Sequence, residues 1–160
     1  MWWNKKQKHD KKEEPIEERY PKRDVTLDEL RKAIHAFADQ LPDGVELQTI
    51  INEDLTIHYE FIAPYLKAIP NQTFYMSKET YEIFEEKDYQ LAVDLDNVQR
   101  AVDDYIRQTK ELPVIEGDSY RKVNYFKLEK LGLLSYRPER DFYITKNEYL
   151  VTYEKPENKM

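Results

Sequence analysis

The chain has 160 residues, 36% of them charged, a formal net charge of −7 and no cysteine. That length suits about one domain with enough interior to fold without staples, and the missing cysteine excludes disulfides, thiolate catalysis and Cys-ligated zinc or iron–sulfur centres. Residues 1–24 carry eight Lys/Arg against six Asp/Glu, whereas residues 25–160 carry seventeen against twenty-six, so the body should repel nucleic-acid phosphates and no nucleic-acid partner is expected.

Residues 1–24 offer little to bury beyond Trp2, Trp3, Ile16 and Tyr20, which predicts a disordered basic tail. Trp2 and Trp3 followed by Lys5, Lys6, Lys8, Lys11 and Lys12 suit contact with an anionic membrane surface. The lysines precede no apolar segment, unlike a secretory signal, and Trp2 in place of glycine excludes N-myristoylation. No apolar run approaches the ~20 residues of a transmembrane helix. The expected location is the cytoplasm, with the inner face of the membrane as the alternative.

The fold is expected over 25–154, with 155–160 frayed. Thr26 and Glu29 form a capping-box pattern, and Leu27, Leu30, Ile34, Phe37 and Leu41 recur on one helix face. Pro42, Asp43 and Gly44 end that helix. Residues 46–52 and 55–62 read as two strands, the second alternating Leu55, Ile57, Tyr59 and Phe61 with more polar neighbours. Pro64 and Pro70 bracket a connection, and 72–76 suits a third strand. Ser77 should cap a short helix carrying Tyr81 and Phe84. A longer helix from Asp88 to about Lys110 presents Leu91, Leu95, Val98, Val102 and Tyr105 on one face. Pro113 lies beyond it, Asn124 caps a short helix over 125–131, and Gly132 provides its left-handed stop. Residues 142–145 and 149–153 suit a final hairpin. Without regular strand–helix alternation the pattern predicts α+β, helices packed on antiparallel hairpins, as a single domain.

The chemistry in the sequence is sparse. Gly44, Gly117 and Gly132 are too few and too scattered for a phosphate-binding loop. His9, His35 and His58 lack metal-ligand spacing, and Ser77, Ser119 and Ser135 sit in no nucleophile elbow. No cofactor is expected. The carboxylate pairs Asp94/Asp96, Asp103/Asp104 and Glu85/Glu86 read as solvated helix surface, because neighbouring helical positions diverge. Pro42–Asp43 with Glu85–Lys87 spells a PD…ExK nuclease pattern, but the second part reads as helical where those nucleases use a strand. Thirteen tyrosines suit both a half-buried core and a protein interface. Around the exposed turn 116–122, the interface candidates are Tyr120, Arg121, Tyr125, Tyr136 and Tyr149.

The run VQRAVDDYIRQTKELPV, then YRKVNYFKLEKLGLL and RPERDFYIT, with QTFYMSKETYEIFEE upstream, resembles a family of small uncharacterised proteins from spore-forming Gram-positive bacteria. That resemblance covers most of 25–154 and implies a bacterial origin but no activity. A local stretch, Ala101–Tyr105, Leu112–Pro113 and Tyr125…Leu128…Gly132–Leu133, is similar to the helix, exit and short helix of pseudopilin globular domains. Residues 1–24 do not show the apolar N-terminal helix expected of that group. Together these readings point to a non-catalytic protein that binds an unknown protein partner or has an accessory regulatory role. The alternatives are a peripheral membrane protein using the tail, and a hydrolase or nuclease whose carboxylates converge only in the fold.

Overall fold

A computed structural model describes residues 16–157. The class is α+β. The described chain forms two compact units, one holding residues up to 50 together with 58–73, the other holding 51–57 and residues from 74 onward.

The first unit starts earlier than Val25. Helix α1 (Ile16–Arg19) and strand β1 (Lys22–Arg23) occupy positions expected to be disordered. β1 runs parallel to β2 (Ile69–Pro70). Beside this pair, the Gln72 side chain behaves as a strand: its Oε1 accepts from the Val25 amide at 3.0 Å and its Nε2 donates to the Val25 carbonyl at 2.7 Å. Long-range pairing of this kind leaves no periodic signal, so composition alone misplaces the boundary.

Helix α2 (Leu27–Asp39) begins where the pattern placed it. The Thr26 hydroxyl accepts from the Glu29 amide and the Glu29 carboxylate accepts from the Thr26 amide, both at 3.1 Å, a reciprocal cap worth about 1 kcal/mol. Leu30, Ala33 and Ile34 are buried.

The second expected strand is instead helix α3 (Tyr59–Leu66), following a 3-10 turn at Leu47–Ile50. Its buried residues are Ile62, Ala63 and Leu66, which with Tyr59 repeat at i, i+3, i+4 and i+7. Two periods overlap in this segment, and the helical one is decided by packing against α2. Pro64 removes one intrahelical hydrogen bond and is exposed.

In the second unit, the expected 46–62 hairpin survives as the bridge Ile51↔Ile57 around a tight turn. Strands β3 (Phe74–Met76) and β4 (Ile83–Glu85) pair antiparallel. The expected helix after Ser77 does not form. Ser77 Oγ accepts from the Glu79 and Thr80 amides, as a cap should, but Tyr81 turns left-handed at φ 63° and Ile83 and Phe84 continue as β4. Glu85 therefore ends a strand and Lys87 lies in a 3-10 turn, both exposed; the helical reading of the ExK segment is corrected.

Helix α4 (Tyr89–Thr109) is the axis of this unit. Its expected face, Leu91, Leu95, Val98, Val102 and Tyr105, is buried in full. A left-handed Lys110 closes it, and α5 (Tyr125–Lys130) starts at Asn124, whose side chain accepts from the Phe126 amide at 3.1 Å. Strands β5 (Tyr143–Ile144) and β6 (Val151–Thr152) form the final hairpin.

Candidate interaction surfaces

On the first unit the apolar stripe of α2 outruns the core. Leu30 and Ile34 are buried, but Phe37 and Leu41 are only half-buried. Phe37 meets two rings from α3: Phe61 at 6.0 Å, tilted, and Tyr65 at 6.0 Å, edge-on. His58 lies 5.1 Å from Phe61. Phe61 remains 45% exposed and Tyr65 40%, so the cluster presents aromatic area at the surface. Such ring pairs hold each other by about 0.5–1.5 kcal/mol beyond area burial. The sequence reading missed this face because it placed Phe61 inward on a strand. In α3, Phe61 and Tyr65 are four residues apart, on the side opposite Ile62, Ala63 and Leu66.

On the second unit the acidic residues of α4 depart from their expected role. Asp94 and Asp96 are buried, 4% and 2% exposed, and are not solvated surface. Asp96 accepts from the Ser77 hydroxyl, from the Lys78 amide at 3.0 Å and from the Glu79 amide at 3.4 Å. It thereby ties the β3–β4 connection to the helix. Asp94 Oδ1 accepts from Tyr136 Oη at 2.5 Å and from Gln90 Nε2 at 2.9 Å. Tyr136 Oη in turn accepts from Asn97 Nδ2 at 3.0 Å, and Asn97 Oδ1 accepts from Arg100. Burial, and then the hydrogen bond to Asp94, push the Tyr136 hydroxyl above its ordinary pKa.

Gln90, Asp94 and Tyr136 line a cleft of about 680 Å³ together with Arg137, Glu139 and Arg140. The volume falls in the ~300–1,000 Å³ range of ligand sites. Arg137 pairs with Glu129, and the Arg140 carbonyl accepts from Tyr125 Oη at 2.5 Å. A smaller cleft of about 280 Å³ includes Lys78, Tyr89, Asp96 and Arg100. Among the described residues no group of His, Asp or Glu is arranged to hold a metal ion.

The five interface candidates are dispersed in role. Tyr125 is 9% exposed and belongs to the interior; burial of its ring raises its hydroxyl pKa. Tyr120 is half-buried beneath the Lys155 ammonium, 4.4 Å from the ring centroid. Arg121 is half-buried with φ 59° and its carbonyl accepts from the Ile144 amide. Tyr149 is 48% exposed, and its carbonyl accepts from Gln99. Tyr136 is the candidate that borders a cleft. Trp2, Trp3, Lys5, Lys6, Lys8, Lys11 and Lys12 lie outside the described residues. No helix among the described residues is long and apolar enough to cross a membrane.

These observations define an α+β protein with an aromatic surface on one unit and a polar cleft on the other. The chain belongs to the family described as "Protein of unknown function (DUF3939)", whose model matches residues 20–153. That match starts at Tyr20, just before β1. No curated protein and no solved structure matches the chain significantly.

Proposed function

We propose that this is a non-catalytic protein-binding module of the bacterial cytoplasm, and that the Phe37–Phe61–Tyr65 face is its contact surface. The observation that carries the reading is the ring cluster itself. Three aromatic side chains hold one another in place, and two of them leave 40% or more of their area exposed. Preordered aromatic area is what binding surfaces concentrate, because little rotamer entropy is lost when a partner covers it. The buried carboxylates do not favour a hydrolase: Asp96 is occupied by Ser77 and two loop amides, and Asp94 Oδ1 accepts from Tyr136 and Gln90.

Site-specific photocross-linking at position 65 in the native host tests this. Discrete protein adducts are expected, and Phe61→Glu should abolish them, while loss of its ring contact with Phe37 should lower stability by about 0.5–1.5 kcal/mol. The absence of adducts at 65, or adducts indifferent to Phe61→Glu, would remove the aromatic face as the binding surface.

A further inference from the structure

We propose that the cleft beside Asp94 receives a basic side chain, Arg or Lys, from a protein partner. This goes beyond the aromatic face and rests on different residues.

Asp94 supplies the acceptor of the site. Its side chain is buried at 4% exposure, yet both donors that reach it, Tyr136 and Gln90, are neutral and both go to Oδ1. Among the described residues no hydrogen bond reaches Oδ2, and no Lys, Arg or His forms an ion pair with Asp94. Oδ2 is not sealed from solvent, and Asp94 lines the cleft. A carboxylate can accept about four hydrogen bonds, and among the described residues two reach Asp94, both at Oδ1. A buried charge is normally paired; here the vacant position of the pair is in the cleft.

The other charges of the lining nearly cancel. Arg137 is neutralised by Glu129. Arg140 opposes an incoming cation, but Glu139 lines the same cleft and offsets it. Arg100 reaches this network only through Asn97. The remaining balance is the negative charge of Asp94. The Tyr136 ring adds a face that attracts cations.

The surroundings suit a polypeptide rather than a free amine. Phe126 is 61% exposed and lies three residues before Glu129 on α5, hence on the same side of that helix. Apolar surface thus adjoins the Arg137 rim. A segment carrying a basic residue beside an apolar one fits both features. The acidic balance of residues 25–160 steers such a partner inward.

The test is an NMR titration of the ¹⁵N-labelled full chain, read at the side-chain amides of Gln90 and Asn97. The probes are n-butylguanidinium, its neutral isostere n-butylurea, spermidine, and the capped dipeptide acetyl-Leu-Arg-amide. The guanidinium should move both amides at least tenfold more strongly than the urea at equal concentration. The dipeptide should bind at least threefold tighter than spermidine. Asp94→Asn, which keeps the acceptor for Tyr136, should lower guanidinium affinity at least tenfold. Tyr136→Phe, which keeps the carboxylate, should preserve the preference for guanidinium over urea; this holds the inference testable if Asp94→Asn fails to fold. Equal responses to guanidinium and urea would overturn the cation site. Spermidine binding as tightly as the dipeptide would overturn the assignment to a protein side chain. Phe61→Glu should leave every arm unchanged, so a failure here is distinct from a failure of the aromatic face.

Discussion

Replacing Asp96 with Ala tests whether the buried acid of α4 anchors the β3–β4 connection. The carboxylate is 2% exposed and receives the Ser77 hydroxyl, itself fully buried, and the Lys78 and Glu79 amides. The Glu79 amide retains Ser77 Oγ at 3.2 Å after the change, so the loss falls on two donors. Each donor stranded away from water costs about 1–3 kcal/mol, which for two donors gives an expected destabilisation of about 2–6 kcal/mol. At roughly 2–4 °C per kcal/mol for a chain of this size, the melting midpoint should drop by about 4–24 °C. Urea unfolding followed by circular dichroism would measure it, a shifted midpoint at unchanged m-value marking a change in stability alone. Asp96→Asn keeps one acceptor and should lose about half as much. In a double-mutant cycle, Ser77→Ala should add less than its own cost in the Asp96→Ala background, because the two share one bond. A loss below about 1 kcal/mol for Asp96→Ala, or strict additivity with Ser77→Ala, would refute the anchoring argument.

Three further outcomes follow from other parts of the structure. Gln99 is 3% exposed, accepts from the Val151 amide at 2.7 Å and donates to the Tyr149 carbonyl at 3.3 Å, so Gln99→Leu strands a buried amide and should cost about 1–3 kcal/mol by urea unfolding. Lys67 closes α3 at φ 63° with its side chain exposed; Lys67→Gly relieves about 1–2 kcal/mol of left-handed strain against about 0.4–1 kcal/mol of added chain entropy, and should raise stability by about 0.5 kcal/mol in the same assay. Tyr125 and Tyr153 have hydroxyl pKa values raised by burial, with Glu82 adding to the effect at Tyr153. Above the ordinary tyrosine value of about 10 the native state then holds more protons than the unfolded state. Their stabilising contribution is complete below that value and is lost as pH rises through the raised values. Absorbance at the phenolate band should show a late group of tyrosines ionising together with unfolding.

The elements legible in the sequence are those whose signals are local. The Thr26–Glu29 box, the stripe from Leu91 to Tyr105, Asn124 before α5 and the closing hairpin each lie within a few turns of chain, and the structure has them where the pattern placed them. Local signals failed where two periods competed. Tyr59–Leu66 alternates like a strand and also repeats like a helix, and burial of Ile62, Ala63 and Leu66 selects the helix. The segment after Ser77 has a genuine cap, yet pairing of Ile83 and Phe84 with β3 overrides it.

The candidate sites were less legible, because each depends on a residue far away in sequence. Asp94 and Asp96 looked like solvated surface since a charged residue on a helix usually faces water. Ala92, Asp96 and Gln99 in fact form a second buried row along α4, made tolerable by donors 17–52 residues distant. Tyr136 is 42 residues from its acceptor. By itself the sequence determined the α+β class, the long helix and its apolar face, and the punctuation around it, because propensity, capping and periodicity act within a few residues. Tertiary structure alone decided that polar residues of that helix turn inward, that Phe61 and Tyr65 turn outward, and that a carboxylate opens on a cleft. Those outcomes depend on which distant donors and apolar surfaces are brought within reach.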